Sequence, residues 1–372
     1  MSTNAAAADM MDVNSPSAQL TDGFLIDAPR WRMTPLTRRR WENFKSNKRG
    51  YWSLWIIGLM LFSSLFAELI ANDKPLLLSY RGTLHFPVFV AYPETEFGGV
   101  FETEAVYRTP AVQELIEDGD GWMIWPLIPF SYDTVDLETD GPVPQPPSAR
   151  HWLGTDDVAR DVSARIIYSF RLSVLFGLAL TFFSAIIGIS VGATQGYFGG
   201  LIDLVGQRMV EIWAGLPVLF LIIILTSLFE PNPMVLLCLL LLFNWMSLVA
   251  VVRAEFLRTR NFDYVNAAKA LGEKDFTIMT KYVLPNAMVA TLTYVPFLLN
   301  GSITTLTSLD FLGFGLPAGS PSLGELLAQG KANLQAPWLG LAGFFTLAVM
   351  LTLLVFVGEG VRDAFDPRRS AT

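Results

Sequence analysis

The chain is poor in the residues that do chemistry in water. One cysteine, Cys238, and two histidines, His85 and His151, occur in 372 residues. Cys238 lies inside an apolar run, where a disulfide or thiolate has little use and packing is the expected role. The histidines stand far apart, with no cysteine cluster or H-E-x-x-H spacing beside them, so no metal site is expected. The stretch G-I-S-V-G at 188–192 has the G-x-S-x-G spacing but falls inside an apolar run and not on a strand-to-helix turn, so no nucleophile elbow is expected. The nearest approach to a phosphate loop, residues 324–332, has five residues between its glycines instead of four and no Ser or Thr after Lys331. The chain is therefore expected to be no enzyme and to hold no cofactor; any ATP must sit on another subunit.

Charge is also scarce. Charged residues make up 16% and apolar ones 52%, with a mean hydropathy of +0.42. That is more apolar side chain than a soluble core of this size can bury, so a bilayer must be part of the solvent. Apolar runs at 52–70, 173–192, 210–229, 234–252, 288–306 and 339–357 each approach the ~20 residues that cross ~30 Å of hydrocarbon. They predict an all-α polytopic membrane protein of about six transmembrane helices. Glu211 tests the third run, because a central carboxylate costs about 3 kcal/mol and each Leu, Ile, Phe or Val returns roughly 0.3 to 0.6. Eleven such residues between 216 and 229 outweigh it.

Charge placement orients the spans. Arg30, Arg32, Arg38, Arg39, Arg40, Lys45, Lys48 and Arg49 precede the first run, which places the N-terminus in the cytoplasm, and six spans return the C-terminus there. Arg208, Arg253, Arg258, Arg260, Lys269, Lys274, Lys281, Arg362, Arg368 and Arg369 fall on the same side, whereas the short outer loops offer only Lys331. Merging or splitting two helices elsewhere would mimic this pattern.

Residues 72–161 carry 16 acidic against 5 basic residues, a net of -11 that leaves the rest of the chain at +3. It reads as an extracytoplasmic insertion with a proline-rich exit at 141–147, and strand-like pieces such as 83–91 suggest a small folded lobe. Residues 1–29 are polar and alanine-rich, unlike a cleavable signal peptide; they read as a disordered extension or a docking segment for a partner. The expected division is a cytoplasmic segment 1–50, a first span 51–71, the insertion 72–161 and a core 162–369.

One cytoplasmic loop, 253–285, is informative. Asp263 can cap a short helix that Gly272 ends, and a second helix from about Asp275 meets Pro285, whose missing N–H disfavours continuation into the fifth span. The fifth span is polar in its outer half, at Asn300, Ser302, Thr304, Thr305, Thr307 and Ser308. These groups either line a wet cavity or hydrogen-bond neighbouring helices. Asp310 and Glu211 are either functional charges or interface anchors.

The loop resembles that of permeases of ATP-binding-cassette (ABC) importers, E-A-A-x3-G-x9-I-x-L-P. Ala267, Ala268, Gly272, Leu284 and Pro285 match it in register, while Asn266 replaces the Glu and Tyr282 the Ile. H-W-L-G-T-D-D-V-A-R-D at 151–161 is similar to the C-type permeases of oligopeptide and dipeptide importers, which have Gly where Ala159 stands. So are S-L-D-F-L-G-F-G-L-P at 308–317, P-S-L-G-E at 321–325, A-P-W at 336–338 and V-R-D-A-F-D-P at 361–367. The segments 49–55 and 68–75 and the acidic insertion look most like the YejE-type branch, associated with peptides including microcin C.

The resemblance implies half of a heterodimeric pore in a Gram-negative inner membrane, without nucleic-acid partners. A second permease, a cytoplasmic ATPase holding ATP and Mg, and a periplasmic peptide-binding protein would complete it. Phe262 and Tyr264 would anchor the loop helix in the ATPase, with Ala267 and Ala268 keeping it slim. An outer loop containing Asp310, Gly313, Gly315 and Pro317 would meet the binding protein or close the pathway, unless it is a passive connector. Two other classes compete. A self-energised carrier or channel needs a coupling-ion site or inverted repeats, and neither is apparent; a membrane scaffold needs no such surface helices.

Overall fold

The structure, a computed structural model, describes residues 35–138, 141–229 and 232–365. The expectations for 1–29, and the charges at Arg30, Arg32, Arg368 and Arg369, lie outside the described residues.

The basic helix α1 (Pro35–Ser46) packs through Phe44, which is buried and stacked on Trp41. Asn47 then caps α2 (Lys48–Leu65), accepting the Gly50 N–H at 3.1 Å while its Nδ2 donates to Asp363 at 2.9 Å. That bond ties the start of α2 to the last long helix. A Cβ on Gly50 would lie 2.8 Å from the Phe356 carbonyl, so the two helices touch backbone to backbone. The far face of α2 exposes Trp52, Trp55, Leu59 and Phe62, and α3 (Ala67–Ile70) continues it.

The segment from 71 to 161 contains a small lobe. Strands β1 (Leu77–Tyr80), β2 (Thr83–His85) and β3 (Trp122–Ile124) pair antiparallel in the order β2-β1-β3, with Leu78 opposite both His85 and Met123. Helix α4 (Pro110–Asp118) completes a core of Leu78, Tyr80, Phe97, Tyr107, Val112 and Ile116. The strand expected over 83–91 ends at His85, because Phe89 and Val90 turn their N–H groups back to the Phe86 carbonyl.

Among the described residues, three helical stretches are long and apolar enough to cross a membrane: α5 (Val162–Phe198), the run Asp275–Phe311, and a final helix at 337–365. Two further candidates are bent pairs. Helices α6 (Gly200–Ala214) and α7 (Val218–Leu228) meet at 71°, and α8 (Pro233–Asn244) and α9 (Met246–Thr259) at 41°. The straight span expected at 210–229 is thus broken, since Pro217 has no N–H to bond the preceding turn and pushes Leu216 out of helical conformation. Cys238, expected in the packing, lies exposed on α8.

Helix α10 (Asp263–Ala270) precedes α11 (Asp275–Thr277), a π-turn at Ile278–Val283 and α12 (Leu284–Phe311). Helices α13 (Leu323–Ala332) and α14 (Pro337–Phe365) complete the chain. Pro285 does not break the run as expected. It sits in the first turn of α12, directly after a widened π-turn that has already left α-type hydrogen bonding.

Helices α5 and α9 cross backbone to backbone. Cβ atoms on Gly188, Gly192 and Gly196 would lie 2.8, 2.8 and 2.6 Å from the carbonyls of Trp245, Val249 and Arg253. This four-residue glycine ladder, missed in the sequence, lets backbones approach where lipid supplies no hydrophobic drive between helices.

Candidate functional site

Three regions hold most of the residues singled out above; Glu211 lies apart from them, exposed on α6 and accepting from Arg208 at 2.5 Å. The first lies at the end of the bundle opposite the insertion. Helix α10 starts with Asp263 and ends with Lys269, which suits its dipole, and Gly272 follows at φ +79°, a left-handed turn with open space where a Cβ would be. Val265 and Ala268 are buried in one cluster with Phe256, Ile278 and Val283, so Ala268 packs against its own chain instead of facing outward. Leu284 and Tyr282 pack on the same cluster.

Outward from this region project Phe262 and Tyr264, joined by two side chains that sequence reasoning missed, Leu271 (84% exposed) and Phe276 (77%). Ala267 and Asn266 are exposed as well, and the Asn266 amide donates to the Asn261 carbonyl at 3.3 Å. Local bonds stiffen the mount. Tyr197 donates to Asp275 at 2.6 Å, and Asn286 donates to the Tyr264 hydroxyl at 2.6 Å.

The second region is α12, whose polar residues divide between two faces. Ser302 is fully buried, accepting from Asn244 at 3.0 Å and lying 3.3 Å from the Thr181 hydroxyl, while Asn244 also reaches Ser184 at 3.1 Å. Thr307 is buried too, and Asn300 donates to the Leu351 carbonyl at 3.1 Å. Ser302 and Asn300 thus bond to neighbouring helices, whereas Thr307 donates to the Ile303 carbonyl of its own helix at 2.9 Å. Thr304, Thr305 and Ser308, with Gly301, lie exposed on the opposite face, each hydroxyl donating to the carbonyl four residues back. Such back-bonding satisfies the donor and leaves acceptor lone pairs outward.

The third region is at the insertion end. Asp310 accepts from Leu316 N–H at 2.7 Å and from Ser322 at 2.5 Å, and a Cβ on Gly315 would overlap its carboxylate. Gly313 turns at φ +80°, and the Pro317 carbonyl accepts from Ser320 N–H at 3.1 Å. The loop is therefore a defined shape stapled to the end of α12 by Asp310.

Beside it lies a buried ionic knot. Arg165 donates to Glu325 at 2.7 Å, and Arg160 donates to Asp156 at 2.7 Å and to Glu325 at 3.0 Å. Burial opposes the Arg160 charge, yet Asp156 and Glu325 outweigh it and hold its pKa above the ordinary value. His151 sits between two buried carboxylates, 2.8 Å from Asp161 and 3.1 Å from Asp136, while Asp161 caps α5 through Ala164 N–H at 2.8 Å. Near Asp136, burial lowers the Arg108 pKa despite that carboxylate. Trp338 donates to the Thr155 carbonyl at 3.3 Å, so the motif segments 151–161 and 336–338 touch. This knot locks the insertion, the start of α5 and α13 into one unit.

A multi-pass helical bundle, with a short surface helix between two spans and a stapled loop at the other end, is the architecture of a transport subunit. Residues 163–371 match the family described as the inner membrane component of binding-protein-dependent transport systems, and residues 35–81 the N-terminal transmembrane domain of oligopeptide transport permease C. The chain belongs to this family of inner-membrane permeases.

Its relatives include two YejE permeases. The inner membrane ABC transporter permease protein YejE of Escherichia coli (strain K12) is 56% identical over 339 residues, covering 91% of this chain and 99% of that protein. The peptidoglycan transport system permease protein YejE of Agrobacterium fabrum is 54% identical over 370 residues, covering 93% and 97%. A chain from inward-facing conformations of the MetNI methionine ABC transporter aligns with a TM-score of 0.47 and 16% identity, over 54% of this chain and 96% of that one. The resemblance read from the sequence motifs is borne out, including its YejE-type branch.

Proposed function

We propose that the chain forms one half of the pathway of an ABC importer that carries peptides across a bacterial inner membrane. A second permease supplies the other half, a separate cytoplasmic ATPase holds ATP and Mg, and a periplasmic protein delivers the cargo. Counting α2 and each bent pair as one span gives six, with both termini in the cytoplasm and residues 72–161 in the periplasm. The Agrobacterium fabrum relative is named for peptidoglycan transport, which supports peptide-bearing cargo; microcin C-like peptides are what the YejE-type resemblance adds. The exposed hydroxyls of Thr304, Thr305 and Ser308 line the path, while Ser302 and Asn300, bonded to neighbouring helices, hold it in shape. The loop stapled by Asp310 meets the binding protein at the outer mouth.

The observation that carries this reading is the apolar patch around α10. Phe262, Tyr264, Leu271 and Phe276 project from a loop that joins α9 directly to the run leading into α12. Exposed aromatic and aliphatic side chains on a stiff mount are what a docking surface requires, and movement of α10 is transmitted to two spans at once. Replacing both Leu271 and Phe276 by aspartate tests it, because neither side chain is buried. The ATPase should co-purify about tenfold less with the variant, while membrane insertion stays normal. Wild-type recovery of the ATPase would refute docking at this surface.

A further inference from the structure

The face of α12 that carries the exposed hydroxyls continues toward the other end of the helix, where Phe297, Thr293 and Ala290 are half-buried and Phe297 packs on α14 at Gly358. Stepping back from Ser308 through Thr304 and Gly301 by three and four residues reaches Phe297, Thr293, Ala290 and Asn286, all on one face of the helix. From Asn286 to Ser308 that face runs about 33 Å at ~1.5 Å per residue, the ~30 Å thickness of hydrocarbon. At its lower end it opens into a cavity of about 450 Å³, far from the insertion.

Charges of both signs line that cavity. Arg258 and Glu255 come from α9, Arg362 and Phe365 from α14, and Asn286 and Thr293 from α12. Arg258 donates to Glu255 at 2.6 Å, with the Arg258 side chain 66% exposed. Glu255 is 21% exposed, so the pair opens to water on its Arg258 side, where it is weak and exchanges partners readily. Asp363 also borders the cavity, but it accepts from Asn47 at 2.9 Å and serves the joint between α2 and α14.

We propose that this cavity is an exit-side subsite for the two charged ends of a zwitterionic peptide. Arg258 and Arg362 receive the terminal carboxylate, and Glu255 the terminal ammonium. The proposal rests on α12 lining the path. The upper face offers only hydroxyls, which suit any peptide and select none; the lower end supplies the first charged groups that face meets. Guanidinium groups suit a carboxylate because they can bond both of its oxygens. A peptide end that breaks the Glu255–Arg258 pair is held loosely and released, as an exit site requires.

The test uses the complete transporter in nanodiscs without nucleotide, with Thr293→Cys as reporter in a Cys238→Ser background. The rate of reaction with a methanethiosulfonate is measured against added tri-alanine, its C-terminal amide and its N-acetyl derivative. Tri-alanine should slow the reaction saturably, and each blocked form should need about fivefold more for the same effect. Arg258→Gln combined with Arg362→Gln should make the free acid behave like the amide, whereas Arg362→Lys, which keeps the charge, should preserve the difference.

Equal protection by all three peptides, or none, overturns the subsite. A separate arm isolates the pathway itself. If the same reagent fully modifies Ser308→Cys without reducing peptide uptake, it is the lining by α12 that fails.

Discussion

Replacing Gly192 by valine puts the crossing of α5 and α9 under load. A Cβ there would lie 2.8 Å from the Val249 carbonyl oxygen, 2.9 Å from the Val252 Cβ and 3.2 Å from the Arg253 nitrogen, whereas ordinary contact begins at 3.4 Å. Two of the three atoms are backbone, so α9 must retreat as a body, loosening the contacts at Gly188 and Gly196 with it. Overpacking of this kind costs about 1 to 3 kcal/mol, and valine recovers only a few tenths through its better helix propensity. The loosened neighbours place the cost near the top of that range, about 2 to 3 kcal/mol. The expected fall in melting temperature is then roughly 3 °C. Gly58 on α2 has nothing within 4 Å of its Cβ position, so Gly58→Val is the matched control and should melt within about 1 °C of wild type. Thermal stability of the detergent-solubilised transporter, followed by size-exclusion chromatography after heating, reads both. If Gly192→Val melts like the control, the helices do not approach as the structure shows.

Ala159 holds a left-handed φ of +64° at the position where C-type permeases have glycine; Ala159→Gly should therefore stabilise by about 0.5 to 1 kcal/mol and raise the same melting temperature. Glu325→Gln leaves Arg160 and Arg165 with Asp156 as their remaining carboxylate. Because Glu325 is 29% exposed, the cost should be about 2 kcal/mol, below the usual range for a fully buried pair, and a double-mutant cycle with Arg160→Gln would measure the coupling. Single cysteines at Glu102 and Glu273 should label oppositely with an impermeant thiol reagent on intact spheroplasts, the first reacting and the second protected. The reverse pattern would invert the proposed orientation.

Hydropathy revealed the apolar segments because a bilayer-sized run of Leu, Ile, Phe and Val has few other uses, but it misjudged their limits. Helix α5 starts at Val162, eleven residues before the expected 173, since Arg165 and Arg171 look costly in isolation. Their partners are distant in sequence: Glu325 lies 2.7 Å from Arg165 and Glu68 2.9 Å from Arg171. Pro217 marked one bend, while the 41° bend at Trp245 carries no proline or glycine. Composition grouped Ser302 with Thr304 as polar residues, and only helical phase separates the buried one from the exposed one. The same phase rule places Ala268 inward and Ala267 outward, and applied to 262–276 it could have drawn attention to Leu271. Phe276 lies beyond the Gly272 turn, where no helical phase carries over. The four-residue spacing of Gly188, Gly192 and Gly196 was equally open to reading as a packing stripe. The pairing of His151 with Asp136 was not, because the insertion that supplies Asp136 has no periodicity to fix its fold.

The most direct test of the account is ATP-driven uptake of a labelled tripeptide by proteoliposomes containing the whole transporter and its binding protein, with Thr304→Cys in a Cys238→Ser background. If α12 lines the path, modifying that cysteine with a bulky thiol reagent should cut uptake about tenfold, while the same reagent on Phe62→Cys, on the outer face of α2, leaves uptake unchanged. Full uptake after complete modification of Thr304→Cys would contradict the path.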